Sequence, residues 1–205
     1  MIVKICGVTR AADAAAAAAA GADWIGINFW PGSKRRATLE QAVAAAAAAR
    51  AARPGVVIVG VFVDEEPARI DEIAGRVGLD RVQLHGDEAP AVCAGLGARA
   101  FKALALGDAG DLARLDAYGC DPILVDTPST GRGGSGVTGD WELARRAVAT
   151  GRRILLAGGL TVDNVAAAVR AVGPWGVDVA SGVESAPGIK DPERVARFIE
   201  EARRE

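Results

Sequence analysis

Val3-Lys4-Ile5-Cys6-Gly7 is a short apolar stretch with one charge inside it, closing on a thiol and a glycine. Side chains alternate along a strand, so Lys4 and Cys6 share one face while Val3 and Ile5 take the other. If the second face packs on helices, the first looks into whatever the sheet encloses. Cys6-Gly7-Val8-Thr9 carries a single glycine. An open dinucleotide-binding sheet would show a glycine-rich fingerprint after its first strand, and none is here.

The same grammar repeats to the end of the chain. Strands are expected at Ile2–Cys6, Trp24–Phe29, Gly55–Val63, Arg81–His85, Ala98–Ala103, Pro122–Asp126, Arg153–Ala157 and Gly176–Ala180. Helices are expected between them: Thr9 to Ala20 (stopped by Gly21), Thr38 to Ala52, Pro67 to Val77, Glu88 to Leu96, Gly110 to Tyr118, Asp140 to Ala149 and Thr161 to Val172. A last one runs from Pro192 to Arg204. Thr38 with Gln41 makes a capping box, and Thr161 is read as a cap. Eight strand–helix units with Val/Ile/Leu-rich strands predict a parallel sheet covered by helices, closed into an α/β (β/α)8 TIM barrel. One such domain accounts for residues 1–205.

Composition narrows the function classes. A net charge of −2 offers no electrostatic case for nucleic acid or an anionic membrane. No apolar run reaches the ~20 residues of a membrane span, and Met1 leads almost directly into the first strand with no secretion signal. The three cysteines, Cys6, Cys93 and Cys120, are odd in number and far apart, and there is one histidine. Neither a zinc site nor a disulfide framework is expected, and a reducing cytoplasmic compartment is. Nothing decides between monomer and homodimer.

In a barrel of this kind the chemistry sits at the C-terminal ends of the strands. The residues expected there are Cys6, Arg35, Gln83, His85, Asp126, Gly158, Gly159, Asp178, Ser181 and Gly182. A cysteine in a strand is more often a small buried hydrophobe than a reactive group. Its place at a strand end, one repeat from Lys4, points to a catalytic base, with the ammonium favouring the thiolate. Asp178, on the strand that closes against the first, is placed to pair with Lys4. Asp126 ends the apolar run Ile123-Leu124-Val125, and no helix follows for a dozen residues. A capping role is weak there, and a desolvated general acid is the better reading.

Gly158-Gly159 and Ser181-Gly182 follow the seventh and eighth strands, where backbone N–H groups can hold a phosphate. Arg35 and Arg36 are equal candidates for a fork that takes a carboxylate, or for solvated surface. His85 reads mainly as a loop start before Gly86, while Cys93 and Cys120 read as inert. The loop Thr127–Gly139 reads as either a lid or a passive glycine-rich connection.

Taken together, Lys4-Ile5-Cys6-Gly7, Ser33-Lys34-Arg35, Val61-Phe62-Val63, Val82-Gln83-Leu84-His85-Gly86, Leu124-Val125-Asp126, Gly133-Gly134-Ser135-Gly136, Ala157-Gly158-Gly159-Leu160 and Val177-Asp178-Val179 through Glu184 resemble the phosphoribosylanthranilate isomerase family. The resemblance implies an Amadori rearrangement of the small-molecule substrate phosphoribosylanthranilate in tryptophan biosynthesis, with no cofactor. It implies that Asp126 protonates the furanose oxygen, Cys6 removes the C2 proton, Arg35 rather than Arg36 holds the anthranilate carboxylate, and loops seven and eight hold the phosphate.

Three positions depart from the family's usual pattern: Val137-Thr138-Gly139 in place of a Lys-Thr-Phe run, Ala180 where serine is common, and Asn28 in a usually apolar run. Two other readings compete. A related phosphosugar isomerase of the histidine pathway would carry two aspartates, against Cys6. A phosphate-binding barrel without catalysis would need neither Cys6 nor Asp126.

Overall fold

The structure, a computed structural model, describes residues 1–126 and 141–204. Eight parallel strands close into a barrel in sequence order: β1 (Ile2–Ile5), β2 (Trp24–Asn28), β3 (Val57–Phe62), β4 (Arg81–Leu84), β5 (Ala100–Ala105), β6 (Ile123–Asp126), β7 (Ile154–Ala157) and β8 (Gly176–Val179). Closure is made by β8 against β1, in a register that sets Lys4 beside Asp178 and Ile5 beside Val179. The helical layer consists of α1 (Ala11–Ala19), α2 (Leu39–Ala52), α3 (Pro67–Val77), α4 (Pro90–Gly95), α5 (Ala113–Ala117), α6 (Trp141–Val148), α7 (Val165–Val172) and α8 (Pro192–Arg203).

Strand alternation sorts the apolar residues into two cores. Val3, Ile5, Ile25, Ile27, Ile58 and Leu84 face the helices. Trp24, Val59, Phe101, Leu124 and Leu155 fill the barrel interior. The floor of that interior is aromatic: Trp24 packs against Phe101 and Trp175, each with ring centroids 5.6 Å apart. The Arg81 and Arg153 guanidiniums lie over Trp24 and Trp175. With the aromatic side chains at the bottom, the top is lined by small, polar and a few aliphatic ones, and the interior opens into a cavity at that end. The alanine-rich helices α1 and α2 bury Ala14, Ala17, Ala18, Ala42, Ala45, Ala46 and Ala49 against the sheet and one another. Their small side chains let the two backbones pack closely.

The differences from expectation have local causes. The capping box of Thr38 and Gln41 is present. Thr161, however, does not cap α7: its N–H is taken by Asn164 Oδ1 at 2.8 Å, and the helix starts at Val165. β5 lies two residues later than expected, because Gly97–Arg99 form a 3-10 turn and the Ala/Leu run continues to Ala105 without punctuation. The helix expected over 110–118 divides into a 3-10 turn at Ala109–Leu112, capped by Asp108, and the short α5. After β8 a 3-10 turn (Ser181–Val183) leads into an unanticipated hairpin, β9 (Glu184–Ala186) with β10 (Ile189–Lys190). The stretch Thr127–Gly139 and Asp140 lie outside the described residues. Among the described residues no helix is long and apolar enough to cross a membrane.

Candidate active site

The mouth of the barrel holds a cavity of about 280 Å³, whose lining includes Cys6, Arg35, Gln83, His85, Asp126, Gly158, Gly159, Asp178 and Ser181. Strand ends β1, β4, β6 and β8 deliver the thiol, the imidazole and two carboxylates to one space. Gly182 is the one anticipated site residue outside it. It lines a neighbouring pocket with Thr161, Asp163, Arg194 and Arg197. A side chain at 182 would collide with the Leu160 carbonyl, so glycine is required there to let loops seven and eight touch. Gly158 and Gly159 both take positive φ (93° and 62°), which turns their backbone along the cavity wall. Arg36, the other candidate fork, lines a separate pocket with Phe29 and Ile73.

Lys4 and Cys6 share the interior face, one repeat apart. Lys4 is fully buried, and its Nζ donates to Asp178 Oδ1 at 2.9 Å. Burial alone would push this ammonium toward neutrality. Asp178, reinforced by Cys6, outweighs that and carries the Lys4 pKa above its ordinary value. The thiol behaves differently from expectation. Burial raises the Cys6 pKa and the Asp178 carboxylate adds to the rise; Lys4 and Lys190 pull it down, but by less. The ammonium expected to create a thiolate is already engaged by the Asp178 carboxylate.

Asp126 stands at the end of β6 with its side chain 38% exposed. The desolvation anticipated for it is therefore only partial. His85 Nε2 lies 3.7 Å from Asp126 Oδ2, and His85 Nδ1 lies 2.8 Å from the Gln83 amide nitrogen. With that nitrogen donating, the ring hydrogen resides on Nε2 and points toward Asp126. The Gln83 carbonyl oxygen is buried and, among the described residues, without a hydrogen-bond partner. His85 thus faces the anticipated acid, where the sequence suggested only a loop start.

Arg35 is anchored by a residue that sequence reasoning passed over. Its Nε and Nη2 donate to Glu184 Oε1 (2.8 Å) and Oε2 (2.7 Å). This side-on bidentate bond holds the guanidinium above its ordinary pKa and, among the described residues, leaves the Nη1 edge uncommitted. Glu184 also accepts from Lys190 Nζ (2.8 Å) and from Gly188 N–H (3.1 Å). Burial would raise the Glu184 pKa, but the bonds from Arg35 and Lys190 bring it below the ordinary carboxylate value. For Lys190 burial prevails and the pKa falls, since Glu184 is shared with Arg35. The hairpin β9–β10 is the bracket for this cluster, tied down by Asp13 accepting from Lys190 N–H.

Two glycines make room. A Cβ at Gly7 would lie 2.5 Å from Arg35 Cδ, and one at Gly26 would lie 2.8 Å from Cys6 Sγ. Gly26 had a legible signal, being a glycine inside a strand pattern, which marks a close approach. Glu184 entered only as the end of a motif, and nothing marked its pairing with Arg35, because 149 residues separate the two. Asn28, the polar departure in β2, lines the cavity while its Oδ1 takes the Trp30 N–H at 2.8 Å. Among the described residues no three His, Cys, Asp or Glu side chains gather as metal ligands.

Comparison with known proteins follows the same geometry. The family model described as N-(5'phosphoribosyl)anthranilate (PRA) isomerase matches residues 3–201. The N-(5'-phosphoribosyl)anthranilate isomerase of Myxococcus xanthus is 47% identical, over 98% of this chain and 95% of that protein. Phosphoribosyl anthranilate isomerase from Thermotoga maritima superposes with a TM-score of 0.88 at 40% identity, covering 98% of both chains. A phosphoribosyl anthranilate isomerase in complex with reduced 1-(o-carboxyphenylamino)-1-deoxyribulose 5-phosphate superposes with a TM-score of 0.85 at 38% identity, with 98% of both chains covered.

Proposed function

Since this chain belongs to the N-(5'-phosphoribosyl)anthranilate isomerase family, we propose that its barrel mouth converts N-(5-phosphoribosyl)anthranilate to 1-(o-carboxyphenylamino)-1-deoxyribulose 5-phosphate, with Asp126 as general acid and Cys6 as general base. The observation that carries this reading is that one cavity is lined by both residues together with Arg35.

Asp126 protonates the furanose ring oxygen, and the ring opens to a Schiff base. The cationic imine acidifies the C2 hydrogen, so the rearrangement calls for no redox cofactor. Cys6 removes that hydrogen, and the resulting enolamine becomes the ketone. The positive imine supplies beside the thiol the charge that Lys4, held by Asp178, does not. His85 Nε2–H, facing Asp126, steadies the carboxylate left after ring opening. The anthranilate carboxylate is taken by the uncommitted Nη1 edge of Arg35. Phosphate is held by backbone N–H groups of Gly158, Gly159 and Ser181, with Gly182 keeping the two loops in contact.

The direct test is loss of the fluorescent substrate with purified protein. Turnover is expected, and its absence would overturn the reading. Arg35→Ala should raise KM about tenfold or more with a smaller change in kcat, as removal of a charge-assisted bond predicts. An unchanged KM would return Arg35 to a purely structural partnership with Glu184.

A further inference from the structure

At the opposite end of the barrel, below the N-terminal ends of β4 to β7, a second cavity of about 470 Å³ is lined by Cys93, Cys120, Asp121, Arg81 and Arg153 among others. Cys93 projects from α4 and is 2% exposed, while Cys120 is half-buried in the connection before β6. Both thiols line this one cavity, near enough that each alters the other's acidity. The reaction at the barrel mouth uses neither.

We propose that Cys93 and Cys120 form a thiol–disulfide exchange site for a low-molecular-weight disulfide bearing carboxylates, with Cys120 attacking and Cys93 resolving. The division of labour follows from access: Cys120 is half-buried and can be reached from the cavity, while Cys93 is 2% exposed. The acidities run the same way. The neighbouring Cys93 brings the Cys120 thiol down to about 7 against the effect of burial, and Arg152, which holds the Cys120 carbonyl, assists. Cys93 correspondingly keeps its proton, its pKa pushed up by Cys120 and by burial. Other charged groups facing the pair are Lys102 and Glu88, paired with each other at 2.9 Å, and the cavity's own Arg81, Arg153 and Asp121. The two guanidiniums against one carboxylate leave the cavity suited to an anionic visitor.

The exchange balances without further reactants. The Cys120 thiolate attacks one sulfur of the small disulfide, whose S–S bond breaks and whose other half leaves as a thiolate and takes a proton. Cys93 then loses its proton and attacks Cys120 Sγ, expelling the second half as a thiol. Two protein thiols are oxidised to one disulfide, and the small disulfide is reduced to two thiols.

The test is incubation of the folded full chain with glutathione disulfide, followed by thiol blocking and peptide mapping without reductant. A Cys93–Cys120 cross-linked peptide is expected, with two of the three free thiols lost and Cys6 retained. Cys93→Ser should stop at a persistent glutathione adduct on Cys120. Cys120→Ser should react at Cys93 at least ~10-fold more slowly, as the thiolate fraction dictates. Circular dichroism verifies the fold of each variant, and mapping of the unsubstituted chain decides the matter even if a variant fails to fold. A stable adduct without cross-link, a cross-link formed only in denaturant, or consumption of Cys6 ahead of Cys120 would each overturn the proposal.

Discussion

On the barrel strands two lysines are buried, Lys4 and Lys102, each with a carboxylate oxygen 2.9 Å away, and they differ in what remains to each ammonium. Lys102, on the helix-facing side of β5, donates to Glu88, to the Gly86 carbonyl (2.5 Å) and more distantly to that of Leu84 (3.4 Å). Its partner Glu88 also takes the N–H groups of Asp64 and Gly86. That cluster is closed, and it pins the loop after β4. Lys4, on the interior side of β1, has Asp178 as its one strong acceptor among the described residues, and the thiol of Cys6 stands next to it. A saturated buried ion pair is a latch. One with capacity to spare, on the wall of a cavity, sets the electrostatics of its neighbour.

The largest effects should come from the groups that this electrostatics serves. Cys6→Ala and Asp126→Asn should each lower kcat by ~10²–10⁴-fold with an unchanged circular dichroism spectrum. Full turnover by either would detach the Lys4 cluster from catalysis. Next, Lys4→Met and Lys102→Met should each cost about 3–5 kcal/mol of unfolding free energy, since each strands a buried carboxylate. Chemical denaturation measures both. Only Lys4→Met should move the ascending limb of the kcat/KM profile.

In the unsubstituted protein that limb should rise with pH above the ordinary thiol value of about 8.5, because the folded Cys6 pKa is raised. Removing the Lys4 cation should carry it higher still. The same shift works against stability. Between the ordinary and the folded thiol pKa the unfolded chain releases its proton first, so unfolding free energy falls as pH rises through that window. A limb centred at or below the ordinary value would contradict the picture of a burial-dominated thiol.

Gly26→Ala should reduce kcat by ~10–10²-fold through displacement of Cys6 Sγ, the scale expected for misplacing a reacting atom by about 1 Å. Retained activity would mean that the thiol's position is not critical. The smallest effect belongs to Glu184→Gln. It should raise KM several-fold by loosening Arg35 and should flatten the acid limb of stability. Glu184 is held below its ordinary pKa, so its contribution is present above the unfolded carboxylate value and is lost as pH falls through the lower folded one.

Much of this was legible in the chain. Strand–helix alternation and a single glycine after β1 pointed to the closed barrel. Strand ends then named Cys6, Asp126, Asp178 and Ser181, because position along a strand and side-chain parity are local properties. Parity also separated Lys4 and Cys6 from Val3 and Ile5. Element boundaries failed where composition was ambiguous, as at β5 and α7, where backbone turns chose among equivalent alanine, leucine and threonine positions.

What the sequence by itself determined, then, is the order of elements, the face each strand residue takes, and the residue types gathered at the barrel mouth. Only the tertiary structure decided how those groups are charged and held. It joined Glu184 to Arg35, turned His85 toward Asp126, let burial keep the proton on Cys6 in spite of Lys4, and set Cys93 and Cys120 on one cavity. Each of these is a contact between residues distant in the chain or set by burial, and neither distance in space nor desolvation is carried by local pattern.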